Sequence, residues 1–166
     1  LLHPDAVSAA RAHLITMGED GQVLPYDCWV KEIDSCVDQP SMQLLCTGGA
    51  GALYPAHLFK PEVFDKQAIL DNCLFADDLW LKFMELLSGI PVVISEAYMG
   101  LKYVPGSQVE TLCSINVGEN QNDQQFEMAV EWAEEKFGKG CISEKLIGSG
   151  IGTDLSTMEV VCQFYE

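Results

Sequence analysis

Basic side chains are scarce: nine lysines and arginines stand against 25 aspartates and glutamates, a formal charge of -16 over 166 residues. A field of that sign repels phosphate backbones and anionic lipid surfaces, so nucleic acid is not expected as a partner. The excess acid serves either solubility or the binding of cations and sugar hydroxyls. Metal-ligand spacing is also missing. The seven cysteines, at 28, 36, 46, 73, 113, 141 and 162, include no C-x-x-C pair, and no histidine falls at ligand spacing, which argues against zinc. Scattered singly, as in Leu45-Cys46-Thr47 and Val161-Cys162, they read as reduced, buried small hydrophobes of a cytoplasmic protein. No apolar run approaches a membrane span, and no charged start followed by an apolar stretch suggests a signal peptide. There is no repeat and no linker. Leu1-Leu2-His3-Pro4 carries no initiator Met, a start that suggests a fragment or a processed product.

What is present is a core. Hydrophobic residues make up 48% of the chain and charged residues 20%, ordinary globular composition sufficient for one domain spanning 1–166. Residues 7–15 fit a short strand or a helical turn equally well. Residues 16–25 read as a hairpin about Gly18-Glu19-Asp20-Gly21, residues 26–30 as a short aromatic segment, and 34–41 as a loop. Residues 43–46 form a short strand running into Thr47-Gly48-Gly49-Ala50-Gly51-Ala52. Beyond it, Val63, Phe64, Ile69 and Leu70 recur at near-helical spacing. Residues 77–87 carry Leu79, Trp80, Phe83, Leu86 and Leu87 on one face, with Gly89 as a stop, and predict an amphipathic helix. Pro91-Val92-Val93-Ile94 is a buried strand. Pro105-Gly106 marks a turn, 120–123 a polar loop, and 124–137 a second helix ended by Gly138. A glycine-rich loop at 148–152 and a strand through Val160, Val161 and Phe164 close the chain. Alternation of strands and helices argues for an α/β class.

The candidate chemistry lies between Thr47 and Trp80. Asp77 and Asp78 at a helix start have two explanations: acid–base work beside a pocket, or favourable placement at the positive end of the helix dipole. Gly48, Gly49 and Gly51 allow a ligand to lie against bare backbone, or simply make a tight turn. Tyr54, Trp29 and Trp80 offer rings for sugar stacking, with Tyr54 and Trp29 preferred because Trp80 sits on the core face of its helix. Arg11 and His13 are among the few cationic groups, suited to a phosphate or to an ordinary salt bridge and a buried or surface histidine. Asn122-Asp123 reads as a helix cap with Gln125 behind it, and the 148–152 loop lacks the Lys-Ser/Thr ending of a phosphate loop.

In order and spacing, Ser8-Ala9-Ala10-Arg11-Ala12-His13, Pro25-Tyr26-Asp27-Cys28-Trp29, the strand and glycine loop through Leu53-Tyr54-Pro55, Pro61-Glu62-Val63-Phe64 and Ala76-Asp77-Asp78-Leu79-Trp80 form a series. Together with Gly106-Ser107-Gln108 and Asn116 through Asn122-Asp123, it resembles the acceptor-side half of GT-A glycosyltransferases of the bacterial polysaccharide type. The likeness covers about residues 5–136; 137–166 is a divergent tail. It implies a partial α/β/α domain with a mixed sheet. It implies transfer of a sugar from a nucleotide-sugar donor to a glycan hydroxyl in surface polysaccharide synthesis, with Asp78 as general base and Asp77 as its metal-facing or orienting partner. The family's Asp-x-Asp donor motif has no counterpart ahead of residue 8. The expectation is therefore a C-terminal portion, with a divalent metal (Mn or Mg) bound in the full-length enzyme and not by this chain alone, or a chain that has lost its donor half. The alternatives are a non-catalytic carbohydrate-binding or interaction module, and a hydrolase pairing an aspartate with Glu62, Asp65 or Glu96. An exposed sheet edge in a half-domain favours self-association into a homo-oligomer.

Overall fold

A computed structural model describes residues 2–33, 38–95 and 120–147. These form a mixed α/β arrangement with a small mixed sheet. The stretch compatible with strand or helix forms two strands, β1 (Val7–Ala9) and β2 (Ala12–Leu14), separated by Ala10 and Arg11. Small side chains at Ala9, Ala10 and Ala12 let the chain pass from one sheet to the next. β2 pairs antiparallel with β3 (Leu44–Cys46), placing Ala12 opposite Cys46 and His13 opposite Leu45. β1 is the centre of three strands, antiparallel to β4 (Ala52–Leu53) on one side and parallel to β5 (Val92–Ile94) on the other. A parallel pair needs a long crossover, and nearly everything described between residues 10 and 91 supplies it.

The hairpin expected at 16–25 is present, bridged at Met17 and Val23, with the Gly18 N–H donating to the Gln22 carbonyl at 2.8 Å. The glycine loop is a single 3-10 turn over Gly48–Ala50, after which the chain re-enters the sheet as β4, a strand too short to show any periodicity.

Four α-helices follow among the described residues. α1 (Lys66–Asn72) is capped by Asp65, whose carboxylate accepts the Ala68 N–H at 3.1 Å. α2 (Asp77–Ser88) ends at Gly89, whose φ of +71° is the left-handed conformation that glycine adopts without a steric cost. α3 (Gln121–Phe137) and the short α4 (Ser143–Ile147) complete the described chain. The polar loop expected at 120–123 is instead the first turn of α3. Asn120 stands at the N-cap with no side-chain cap bond, and Asp123 accepts the Tyr26 N–H at 2.7 Å. Asp123 thus ties α3 to a segment 97 residues away, a partner no local pattern reveals.

α2 is the central element. Leu79, Trp80, Phe83, Met84 and Leu86 are all buried, packing against α3 through Ala129 and Ala133 and against Trp29 and Leu45 in one continuous core. Burial of each large side chain contributes about 1.5–3 kcal/mol. Trp80 stacks at 5.1 Å on Trp132 and donates its indole N–H to the Val63 carbonyl. The strands form a second core of Val7, Ala9, Leu14, Leu44, Val92 and Ile94. Among the described residues no helix is long and apolar enough to cross a membrane. The turn at Pro105-Gly106, the motif pieces at 106–108 and 116, Glu96, the 148–152 loop and the strand at 160–164 lie outside the described residues.

Candidate functional site at the glycine turn and the start of helix α2

The N-terminus of α2 meets the glycine turn. The Gly48 N–H donates to Asp78 Oδ1 at 2.8 Å, so the carboxylate is bound to the turn rather than to its own helix. Asp77 and Asp78 both lie in the first turn of α2, at the positive end of its dipole, but the helix N-cap is Ala76, with no side-chain cap bond. Burial pushes the Asp78 carboxyl up to about 6, against the Gly48 N–H and the Arg11 charge, which favour ionisation, and with the Asp77 charge adding to the rise. Asp77 itself is exposed.

Gly48 is glycine for a steric reason: a Cβ there would lie 2.7 Å from Asp78 Oδ1. Gly51 is glycine for a backbone reason, a φ of +103°, whereas a Cβ on Gly49 would meet open space. Replacing Gly48 with alanine is therefore expected to push the carboxylate off the turn, costing about 1–3 kcal/mol of stability. In an enzyme that positions a base here, turnover falls by about 100-fold. Gly49→Ala leaves the stability unchanged; urea denaturation of the two variants side by side, with turnover of Gly48→Ala, checks this.

Arg11 closes the turn from the strand side. Its Nε donates to Thr47 Oγ1 at 2.7 Å and its Nη1 to Glu32 Oε1 at 2.9 Å, while the Thr47 N–H donates to the Arg11 carbonyl. The guanidinium is thus engaged by protein partners on two of its nitrogens. Tyr54, at the end of β4, hydrogen-bonds through its hydroxyl to the Cys46 thiol, and burial pushes the thiol up to about 12 and the phenol higher still. Both groups are neutral and feel the charges of Asp78 and Glu85.

Two further charges complete the cluster, and sequence reasoning missed both. Lys82 and Glu85 form an ion pair of 2.8 Å with each side chain only 1% exposed. Burial raises the Glu85 carboxyl above its usual range and the adjacent Lys82 ammonium opposes the rise. Asp78, Lys82 and Glu85 follow one another at four- and three-residue intervals along one stripe of α2. Charges interrupting the apolar register of an otherwise buried helix were the available signal. Cys46 is the small buried residue that its apolar surroundings predict, and its bond to Tyr54 is a tertiary contact.

Two proposed site residues stand elsewhere. Trp29 is 4% exposed, its indole N–H donates to the Leu24 carbonyl and its ring packs on Tyr26 and Phe126, so it presents no open face for stacking. Being a wide, flat side chain beside a turn, it was drawn into the core by α3, which the local sequence does not show. His13 is 8% exposed, and its Nδ1 accepts the Glu32 N–H at 2.9 Å. That bond fixes Glu32 at a φ of +50°, an unusual backbone for a non-glycine residue. Burial, then the Lys31 and Arg11 charges, holds His13 down to about 4, so it is a neutral acceptor and not a phosphate-binding cation.

The His13 contribution to stability is complete above the unfolded value of 6.5 and is lost as pH falls toward about 4, because only the unfolded chain takes up the proton. Asp78 works in the opposite sense, its folded carboxyl keeping a proton that the unfolded chain releases between 3.8 and about 6, so its term weakens the fold as pH rises through that window. His13→Gln is accordingly expected to lose less stability than the wild type between pH 7 and pH 4, measured by urea denaturation at each pH.

Glu62 and Asp65, the candidate second acids of a hydrolase, both lie 3.7 Å from Lys136 Nζ. Among the described residues no three His, Cys, Asp or Glu side chains converge as a metal site. The described residues thus offer no ligand set for the divalent metal, which the likeness places in the full-length enzyme and not in this chain alone. No protein-family model matches the chain, nor does any curated protein or solved structure.

Proposed function

We propose that this chain is the acceptor-side part of a GT-A-like glycosyltransferase, moving a sugar from a nucleotide-sugar donor to a glycan hydroxyl in surface polysaccharide synthesis. The observation that carries the reading is Asp78: a carboxylate held by backbone against a bare glycine turn, with its proton affinity raised to about 6. A general base works best with an affinity near the operating pH, and ordinary aspartate is too weak a base. In the inverting form of the reaction the acceptor oxygen bonds to the anomeric carbon, the bond from that carbon to the donor phosphate breaks, and the acceptor proton passes to Asp78. The exposed backbone of Gly48 and Gly49 gives the acceptor a close approach. Arg11, through Thr47, holds the turn in place.

A second reading rests on the same contacts. Asp78 on Gly48, and Arg11 on Thr47 and Glu32, also make a closed clasp of internal partners, as expected of a non-catalytic carbohydrate-binding or interaction module. Calorimetric titration of the full-length protein with UDP- and GDP-sugars in manganese, alongside free saccharides, separates the two. Transfer predicts nucleotide-sugar binding and consumption only when a hydroxyl acceptor is present. Saccharide binding without donor consumption supports the module. Donor hydrolysis without an acceptor supports the hydrolase.

A further inference from the structure

Away from the Asp78 cluster and sharing none of its residues, the 16–25 hairpin, α3 and the start of α4 line a half-open cavity of about 360 Å³. Its floor is apolar, made by Val23, Phe126, Val130 and Ile142, and its rim carries Glu127 and Glu131. The volume falls within the range of small-molecule sites, which combine apolar walls with a few placed polar groups. The two glutamates are one helical turn apart on α3, exposed, and without an ion-pair partner among the described residues. A third, Glu134, also lines the cavity and accepts the Gly140 N–H at 2.9 Å, which fixes the turn into α4.

We propose that this cavity binds a small organic cation with an apolar body, an alkyl or aryl ammonium. The apolar floor requires a hydrophobic body, and charge complementarity selects the head group. Carboxylates of α3 line one side of the opening in a chain whose net charge is -16, so an anionic amphiphile is repelled both locally and by the whole molecule. A neutral amphiphile of the same shape gains the floor and forgoes the rim.

The test uses n-heptylammonium, 1-heptanol and heptanoate as probes, titrated by NMR into the isotopically labelled protein at low salt. The ammonium is expected to saturate with shifts confined to Val23, Phe126, Val130 and Ile142, about tenfold tighter than the alcohol, and its advantage shrinks at high salt. Heptanoate binds weakest. Glu127→Gln combined with Glu131→Gln, both surface changes that leave the core untouched, reduces the ammonium to the affinity of the alcohol and leaves the alcohol unchanged. Equal affinity of ammonium and alcohol in the wild type overturns the proposal, as does the absence of saturable shifts at these residues. Binding of a basic amphipathic peptide at this face, with none by heptylammonium, overturns it in favour of a protein partner.

Discussion

Asp78→Asn is expected to lower turnover by about 10²–10⁴-fold, the range a positioned general base contributes. Asparagine keeps a side-chain oxygen to accept the Gly48 N–H, so the clasp between the turn and α2 survives while the proton acceptor is lost. The effect therefore falls on kcat and spares KM, which distinguishes loss of chemistry from loss of binding. On the proposed transferase reading, the wild-type rate is expected to carry the same signature in its pH dependence. Only the ionised carboxylate accepts a proton, so activity rises with pH through about 6 and falls away below it. The residual activity of Asp78→Asn loses this limb. Steady-state kinetics from pH 4.5 to 8 on both proteins checks the prediction, and an unchanged kcat in the variant contradicts it.

Lys82→Met is expected to destabilise the fold by about 3–5 kcal/mol, the cost of leaving one partner of a buried ion pair uncompensated. Glu85 would then sit fully buried without the ammonium that favours its charge. Its carboxyl rises further above the unfolded value of 4.5, so the folded variant holds a proton that the unfolded chain releases. The loss is accordingly larger at pH 7 than at pH 4.5. Lys82→Met combined with Glu85→Leu recovers most of the stability, because an apolar pair of similar volume carries no desolvation penalty. Urea denaturation of the single and double variants at both pH values closes the cycle. A double variant as unstable as the single would mean that the pair fixes the packing of α2 beyond its charge balance.

The parts of the fold that depend on local chemistry were legible in the sequence. α2 was expected over residues 77–87 and spans Asp77–Ser88, because its apolar residues recur at helical spacing and Gly89 ends it. The 16–25 hairpin followed from its polar turn, and β3 and β5 from short β-branched or apolar runs. The ambiguous stretch at 7–15 is two strands because β1 and β2 pair with different partners, Leu53 and Val93 for one and Cys46 to Leu44 for the other. Such pairing is a tertiary fact. The early start of α3 has the same origin, since Asp123 is spent on Tyr26 rather than on a cap.

The candidate site was legible in its chain positions and only partly in its geometry. Gly48 and Asp78 stand 30 residues apart and meet. Arg11, between β1 and β2, joins them through Thr47 and reaches the Glu32 carboxylate, whereas His13 of β2 is buried and accepts the Glu32 N–H, serving the fold. Positions two apart share one face of a strand, so spacing alone does not separate the partly exposed Arg11 from the buried His13; the fold does, by bringing Glu32 against both. Trp29 shows the same limit: aromatic residues near a turn serve stacking or packing, and α3 decided for packing.

The proposed role of Asp78 requires a base poised near neutrality. Its carboxyl carbon can be followed directly by NMR from pH 3 to 9 in the folded protein, with Asp78→Asn assigning the resonance. A midpoint near 6 is expected, moving upward in Arg11→Met, which removes a charge that favours ionisation. A midpoint close to the ordinary 3.8, unmoved by Arg11→Met, would leave Asp78 an ordinary clasp of the glycine turn and contradict its role as the base.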